Sequence, residues 1–331
     1  MKAAIRIGVI GAGYWGPNLI RNCAELGVLD SVCDINGDAL EKVRSLYPSV
    51  ATVTSMSELW DRPINAVVIA APAQLHSKMA LEAIAAGKHV FVEKPLALTV
   101  AEGVAVHAAA KAARLQVVVG HLLLYHPAVV RMRSLIAENA IGNLWHIRFR
   151  RLQLGKLRSH ESVWWSFAPH DIAVMLAIMG SEPLSVSASQ TSYRVPDISD
   201  VAYADFTFTG GKSAHLEVCW LDPTKSARID VFGTEGVLSL EDRRGSSELT
   251  LTKARANGTG AHSLEVIRGD SQRIDVEKGE PLRAELNAFI LAIATGKSAE
   301  TDALEGISVL RALSMADDAA KAHRVLLEAS A

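Results

Sequence analysis

Long apolar runs, cysteine and any surplus of charge are what this 331-residue sequence has least of. Even the apolar stretch 172–179 stops at Gly180, short of the roughly 18 residues a membrane span requires. Three cysteines, Cys23, Cys33 and Cys219, are odd in number and scattered. That argues against a disulfide framework or a thiolate metal site, and they read as small buried hydrophobes. Lys plus Arg number 34 against 36 Asp plus Glu, a net charge of -2. This excludes a nucleic-acid binder held mainly by bulk positive charge and gives no reason to expect an acidic disordered tail. No solenoid-length repeat, low-complexity tract or metal-ligand spacing such as H-E-x-x-H is present. After Met1-Lys2, Arg6 and a run of glycines interrupt any signal-like apolar core, so a cytoplasmic protein with no membrane partner is expected.

What is there suits folding. Hydrophobic residues make up 49% and charged residues 21%, ample for a buried core, and the length suggests two domains at roughly 150 residues each. Over residues 1–120 short apolar β-branched runs alternate with helical periodicity: 3–10, 28–34, a weaker run near 50–53, 65–70, 89–93 and 116–120. Nearly continuous apolar strands suit a parallel sheet covered on both faces. Ser55 with Glu58 and Thr99 with Glu102 have capping-box spacing. The expectation is a doubly wound α/β domain. From 121 to 331 the rhythm changes: a helix over 127–140, a long strand over 144–154, an apolar helix beginning at Pro169, strands over 185–276 with a hairpin at Gly210-Gly211, and helices over 282–295 and 302–323. This predicts an α+β domain with a large, mostly antiparallel open sheet. An open sheet face predicts a homodimer or homotetramer.

Gly11-Ala12-Gly13-Tyr14-Trp15-Gly16 matches G-x-G-x-x-G directly after the first strand. The first glycine allows a tight turn, the second lets backbone approach a pyrophosphate, and the third lets helix pack on strand, with the helix N-terminus facing the anion. Asp34 closes the second strand, where an acid accepts from ribose hydroxyls and repels a 2′-phosphate, so NAD is favoured over NADP. Glu93-Lys94-Pro95 falls at the carboxyl edge of the fifth strand, where open α/β sheets bind ligands; the lysine can stabilise charge developing on an oxygen.

The glycine turn with its following Pro17-Asn18, Ala70-Ala71-Pro72 with His76, the run from Gly87 through Glu93-Lys94-Pro95 to Leu96, Val119-Gly120-His121, and the segments 228–236 and 281–296 together resemble the glucose–fructose oxidoreductase/inositol dehydrogenase/rhizopine-catabolism family. The resemblance covers nearly the whole chain. It implies a nicotinamide-dependent dehydrogenase of a sugar or cyclitol, with cofactor contacts from Gly11, Gly13, Tyr14, Trp15, Gly16, Asp34, Ala71, Pro72, His76, Glu93 and Lys94. It also implies a cis Lys94–Pro95 peptide and a catalytic histidine at His170. Pro169 suits a first helical turn, placing His170 near a helix N-terminus that disfavours imidazolium, as a general base for a hydroxyl requires. Asp171 reads as complementing that first turn. The family's frequent aspartate four residues earlier is Ser166 here, so the catalytic assignment is confined to Lys94 and His170, acting on one carbon.

Arg148, Arg150, Arg151, Lys156 and Arg158 crowd the segment before the catalytic helix, a concentration suited to a diphosphate, although a solvated sheet face accounts for it equally well. The runs 151–158 and 165–171 are similar to the branch oxidising nucleotide sugars for envelope polysaccharide and lipid A synthesis. That implies UDP-N-acetylglucosamine, or its uronic acid, oxidised at C3, with Lys94, Tyr125, Arg151, Lys156, Arg158 and His170 as substrate contacts and no metal. Dehydrogenation of a free sugar or cyclitol, NAD-dependent glycoside cleavage and nicotinamide sensing without chemistry remain open.

Overall fold

The computed structural model describes residues 5–154, 157–158, 161–243, 246–257 and 265–329. The chain divides into two units, one of residues 1–122 with 280–310, the other of residues 123–279 with 311–331.

In the first unit, β1 (Ile7–Ile10), β2 (Leu29–Cys33), β3 (Ala51–Val53), β4 (Ala66–Ile69), β5 (His89–Glu93) and β6 (Val117–Gly120) alternate with α1 (Gly16–Glu25), α2 (Gly37–Leu46), α3 (Met56–Trp60), α4 (His76–Ala85) and α5 (Val100–Ala113). The sheet is wholly parallel, in the order β3-β2-β1-β4-β5-β6. That is the doubly wound dinucleotide-binding order, whose crevice lies at the carboxyl ends of β1 and β4. The residues of β1, β4 and β6 are buried throughout, as strands covered on both faces must be. The capping box forms in full at Thr99, whose Oγ1 accepts from Glu102 N at 3.2 Å and whose N donates to Glu102 Oε2 at 3.0 Å; at Ser55 the side chain accepts from Glu58 N at 3.3 Å and donates to Glu58 Oε1 at 2.6 Å, a cap without the reciprocal backbone bond.

The chain then returns to this unit. Helix α8 (Pro281–Thr295) buries Leu282, Leu286 and Phe289 in the same core as Ile7, Val9 and Val68, and Phe289 meets Phe91 edge-on with centroids 5.9 Å apart. Residues 280–310 thus belong with the first unit, not with the 121–331 domain that the sequence suggested. An amphipathic helix specifies an apolar face, and its partner is a matter of chain path. Cys23 and Cys33 are buried, and burial pushes their thiols up to about 12 and about 11, which keeps them unreactive.

The second unit contains α6 (Pro127–Ala137), β7 (Leu144–Leu152), α7 (Val163–Met179), β8 (Ser185–Thr191), β9 (Val201–Thr207), β10 (Ser213–Cys219), β11 (Ser226–Gly233), β12 (Gly236–Arg243), β13 (Ser246–Asn257) and β14 (Glu265–Ile274). The eight strands run β14-β13-β12-β11-β7-β10-β9-β8, antiparallel except for β7 with β10. The expected hairpin pairs Thr207 with Ser213 across Gly210-Gly211. Helices α6 and α7 pack on the sheet. Along β7, Ile147 and Phe149 are buried while Arg148 and Arg150 are exposed on the alternate face. The last helix, α9 (Ala303–Ala329), contributes to both units; in the second, Trp164 Nε1 donates to Leu313 O at 3.1 Å and Trp165 Nε1 to Asp317 Oδ2 at 2.6 Å. No helix among the described residues is long and apolar enough to cross a membrane.

Candidate active site

The glycine turn of the first unit has three distinct requirements. Gly11 sits at φ +99° and a side chain there would strike Ala70 O at 2.7 Å, while one on Gly16 would strike Gly11 O at 2.1 Å. Those two glycines are demanded by the fold. Gly13 is not: a Cβ there would meet nothing within 4 Å, so its bareness leaves room for a ligand's phosphates to reach backbone. Helix α1 begins just beyond, with no acidic residue in its first turn, and its free N–H groups favour an anion. Asp34 Oδ2 accepts from Ala12 N at 2.6 Å and Oδ1 from Asn36 N at 2.8 Å. Its carboxylate is thereby fixed beside the turn, with lone pairs left for ribose hydroxyls. These residues fit a dinucleotide without a 2′-phosphate.

At the other cofactor edge, the Lys94–Pro95 peptide is cis, as the resemblance implied. His76 is buried, its ring nitrogens 2.7 Å from Pro95 O and 2.8 Å from Ala71 O. It braces the loop after β4 against the turn carrying Lys94. Glu93 Oε1 accepts from Trp15 Nε1 at 2.6 Å. Burial pushes the Glu93 carboxyl up to about 7, with Lys94 and the Trp15 bond pulling the other way. His121 Nδ1 lies 2.7 Å from Glu305 Oε2, also in this unit. Behind Glu93 the structure brings a group no local pattern announces: Glu285 of α8 is fully buried, and burial, with Glu93 and Glu305 nearby, raises its carboxyl well above the usual range.

In the second unit, α7 starts at Val163, capped by Ser162, and Pro169 lies inside it. His170 is therefore mid-helix, and the expectation that a helix N-terminus keeps its imidazole neutral is corrected: the dipole's effect is confined to the first turn. The same correction removes Asp171 from a helix start. It is buried, and both its oxygens accept from Arg151, at 2.7 and 2.5 Å. Ser166 is one turn before His170, and both line an open recess with Arg151, Gln153, Phe167 and Lys225. The recess measures about 130 Å³, against roughly 300–1,000 Å³ for a complete small-molecule pocket, so it accommodates part of a ligand. His170 Nδ1 is fully buried.

Of the remaining expected substrate contacts, Arg158 forms an ion pair with Glu161, Tyr125 is half-buried in the turn before α6, and Lys156 lies outside the described residues. His126 caps α6, accepting from Ala128 N at 3.2 Å. Lys225 carried no sequence signal; it lies 55 residues beyond His170, in the connection between β10 and β11, which flank β7, and the pairing of β11 with β7 brings it to the recess.

Residues 5–121 match the oxidoreductase family model described as an NAD-binding Rossmann fold, and residues 129–239 match the GFO/IDH/MocA C-terminal domain. UDP-N-acetylglucosamine 3-dehydrogenase of Acidithiobacillus ferrooxidans is 28% identical over 93% of this chain and 95% of its own length. Its solved structure superposes with a TM-score of 0.84 over 96% of this chain and 98% of that one, at 27% identity. An oxidoreductase from Magnetospirillum magnetotacticum MS-1 is 30% identical over 95% of this chain and 99% of its own, with a TM-score of 0.80. Inositol 2-dehydrogenase 2 of Paenarthrobacter aurescens is 27% identical over 89% of both chains. With both family models spanning most of its length, the chain belongs to the glucose–fructose oxidoreductase/inositol dehydrogenase/rhizopine-catabolism (Gfo/Idh/MocA) family of NAD-binding oxidoreductases.

Proposed function

We propose that this enzyme oxidises the C3 hydroxyl of a nucleotide sugar, UDP-N-acetylglucosamine or its uronic acid, to a ketone. The observation that carries the reading is the recess in which His170, an imidazole able to take a hydroxyl proton, stands beside Ser166 and the Asp171-held Arg151. The similarity to the Acidithiobacillus ferrooxidans 3-dehydrogenase over nearly the full chain supports the same substrate class.

Gly11, Gly13, Gly16 and Asp34 would hold NAD, which when bound would supply the hydride acceptor. His170 would take the hydroxyl proton of the substrate. Lys94 donates a hydrogen bond to the same oxygen as it becomes a carbonyl. Ser166, one turn from His170, stands where an aspartate would otherwise add a negative charge beside the imidazole. The 3-keto product is of the kind an aminotransferase consumes, consistent with a role in envelope polysaccharide or lipid A synthesis in the cytoplasm.

The sheet of the second unit supports a homodimer or homotetramer, because its face opposite α6 and α7 is broad and carries Arg148, Arg150, Tyr203 and Glu217. Light scattering that finds only monomer refutes this. The substrate is tested by screening UDP-sugars for absorbance at 340 nm with mass detection of a keto product two hydrogens lighter. NADH formation with inositol and none with any UDP-sugar assigns the enzyme to free cyclitols; release of free sugar without net NADH assigns it to glycoside cleavage.

A further inference from the structure

Each described arginine of the basic segment is already engaged. Arg148 bonds Asp230 at 2.7 Å, Arg150 bonds Glu217 at 2.8 Å, Arg151 is held by both oxygens of Asp171, and Arg158 pairs with Glu161. Paired this closely, Arg151 and Asp171 together contribute little net charge to the recess they border. Lys225 differs. It lines the same recess as His170, is exposed, and makes no hydrogen bond or ion pair among the described residues.

The backbone presenting it is fixed on two sides. Thr224 N donates to Asp222 Oδ1 at 2.8 Å, which shapes the turn between β10 and β11. Gln153 N donates to Cys219 O at 2.9 Å and Leu154 N to Asp222 O, tying that turn to the chain leaving β7. Ser226 and Ala227, which follow Lys225 along the recess wall, are small. A compact ammonium on a flexible stem, anchored at a rigid turn, is suited to meeting an oxyanion whose position varies slightly between substrates.

We propose that Lys225 is the specificity-determining residue for an oxyanion borne by the sugar, either the carboxylate of a uronic acid or the phosphate linked to the ring. The inference rests on the nucleotide-sugar reading above and refines it: Arg151, held by Asp171, forms part of the recess wall, and Lys225 reads the charge.

The test compares wild type with Lys225→Ala and Lys225→Glu, at saturating NAD, in initial-rate measurements on UDP-N-acetylglucosamine and on its uronic acid. Losing a charge-assisted contact raises KM about tenfold or more, with the larger rise for the Glu variant, while kcat stays within about threefold because the base and polarising groups are untouched. A rise confined to the uronic acid identifies the carboxylate as the group read; an equal rise for both substrates identifies the phosphate. KM values within about twofold of wild type for both substrates, with an active wild type, overturn the assignment to Lys225 and leave the functional reading standing. A wild type that reduces NAD with neither substrate overturns the functional reading, and the assignment falls with it.

Discussion

Trp15 Nε1 donates to Glu93 Oε1 at 2.6 Å, across 78 residues of sequence. The bond joins the turn expected to hold the cofactor's phosphates to the end of β5, one residue before Lys94. It explains how two loops at the carboxyl edge of one sheet share a fixed geometry.

Trp15→Phe keeps the ring and removes the donor. Loss of this bond to a buried carboxyl is expected to weaken NAD binding about tenfold, on the order of 1.4 kcal/mol, as measured by calorimetric titration. An unchanged affinity shows that the glycines alone set the turn.

Two buried acids give the fold a definite pH dependence. Glu93 binds its proton more tightly folded than unfolded, its carboxyl rising from 4.5 to about 7, and Glu285 shifts in the same direction. Stability from Glu93 is therefore fully present below about pH 4.5 and is lost as pH rises through about 7, by on the order of 3 kcal/mol, and Glu285 acts in the same sense. Glu285→Gln, which carries no titrating proton, is expected to flatten the decline in urea denaturation between pH 5 and pH 8. A slope equal to wild type rejects Glu285 as a contributor.

Lys94→Ala is expected to retain NAD binding and lose turnover by about 100-fold to 1,000-fold, the usual effect of removing one donor to a developing oxyanion. Near-normal turnover of a verified substrate removes Lys94 from the chemistry.

The Arg151–Asp171 pair should behave as a unit. Asp171→Asn leaves a guanidinium without its charge partner and is expected to cost about 3 kcal/mol, while Arg151→Met with Asp171→Asn recovers much of that. Chemical denaturation of the two single variants and the double variant measures the coupling; additive losses show that the bidentate contact is energetically idle.

Much of the site was legible in the sequence because its signals are local. A glycine turn after an apolar strand, an acid at the next strand's end, and Glu-Lys-Pro at a third each follow from backbone geometry within a few residues, and all fall at one edge of the parallel sheet. The helix around His170 was misread for an equally local reason. Pro169 is compatible with a first turn, yet Ser162 supplies the cap and Val163, Trp164 and Ala168 are buried, so packing carried the helix through the proline.

By itself the sequence determined the order of strands and helices, the cofactor turn and the preference against a 2′-phosphate, since these depend on spacing and on charge near a fixed backbone. Only the tertiary structure decided that α8 returns to the first core, that Arg151 is engaged by Asp171, and that Lys225 borders the recess of His170. Each of those depends on which surfaces meet, and an apolar face or a charged side chain does not encode its distant partner until sheet pairing and core packing bring the two together.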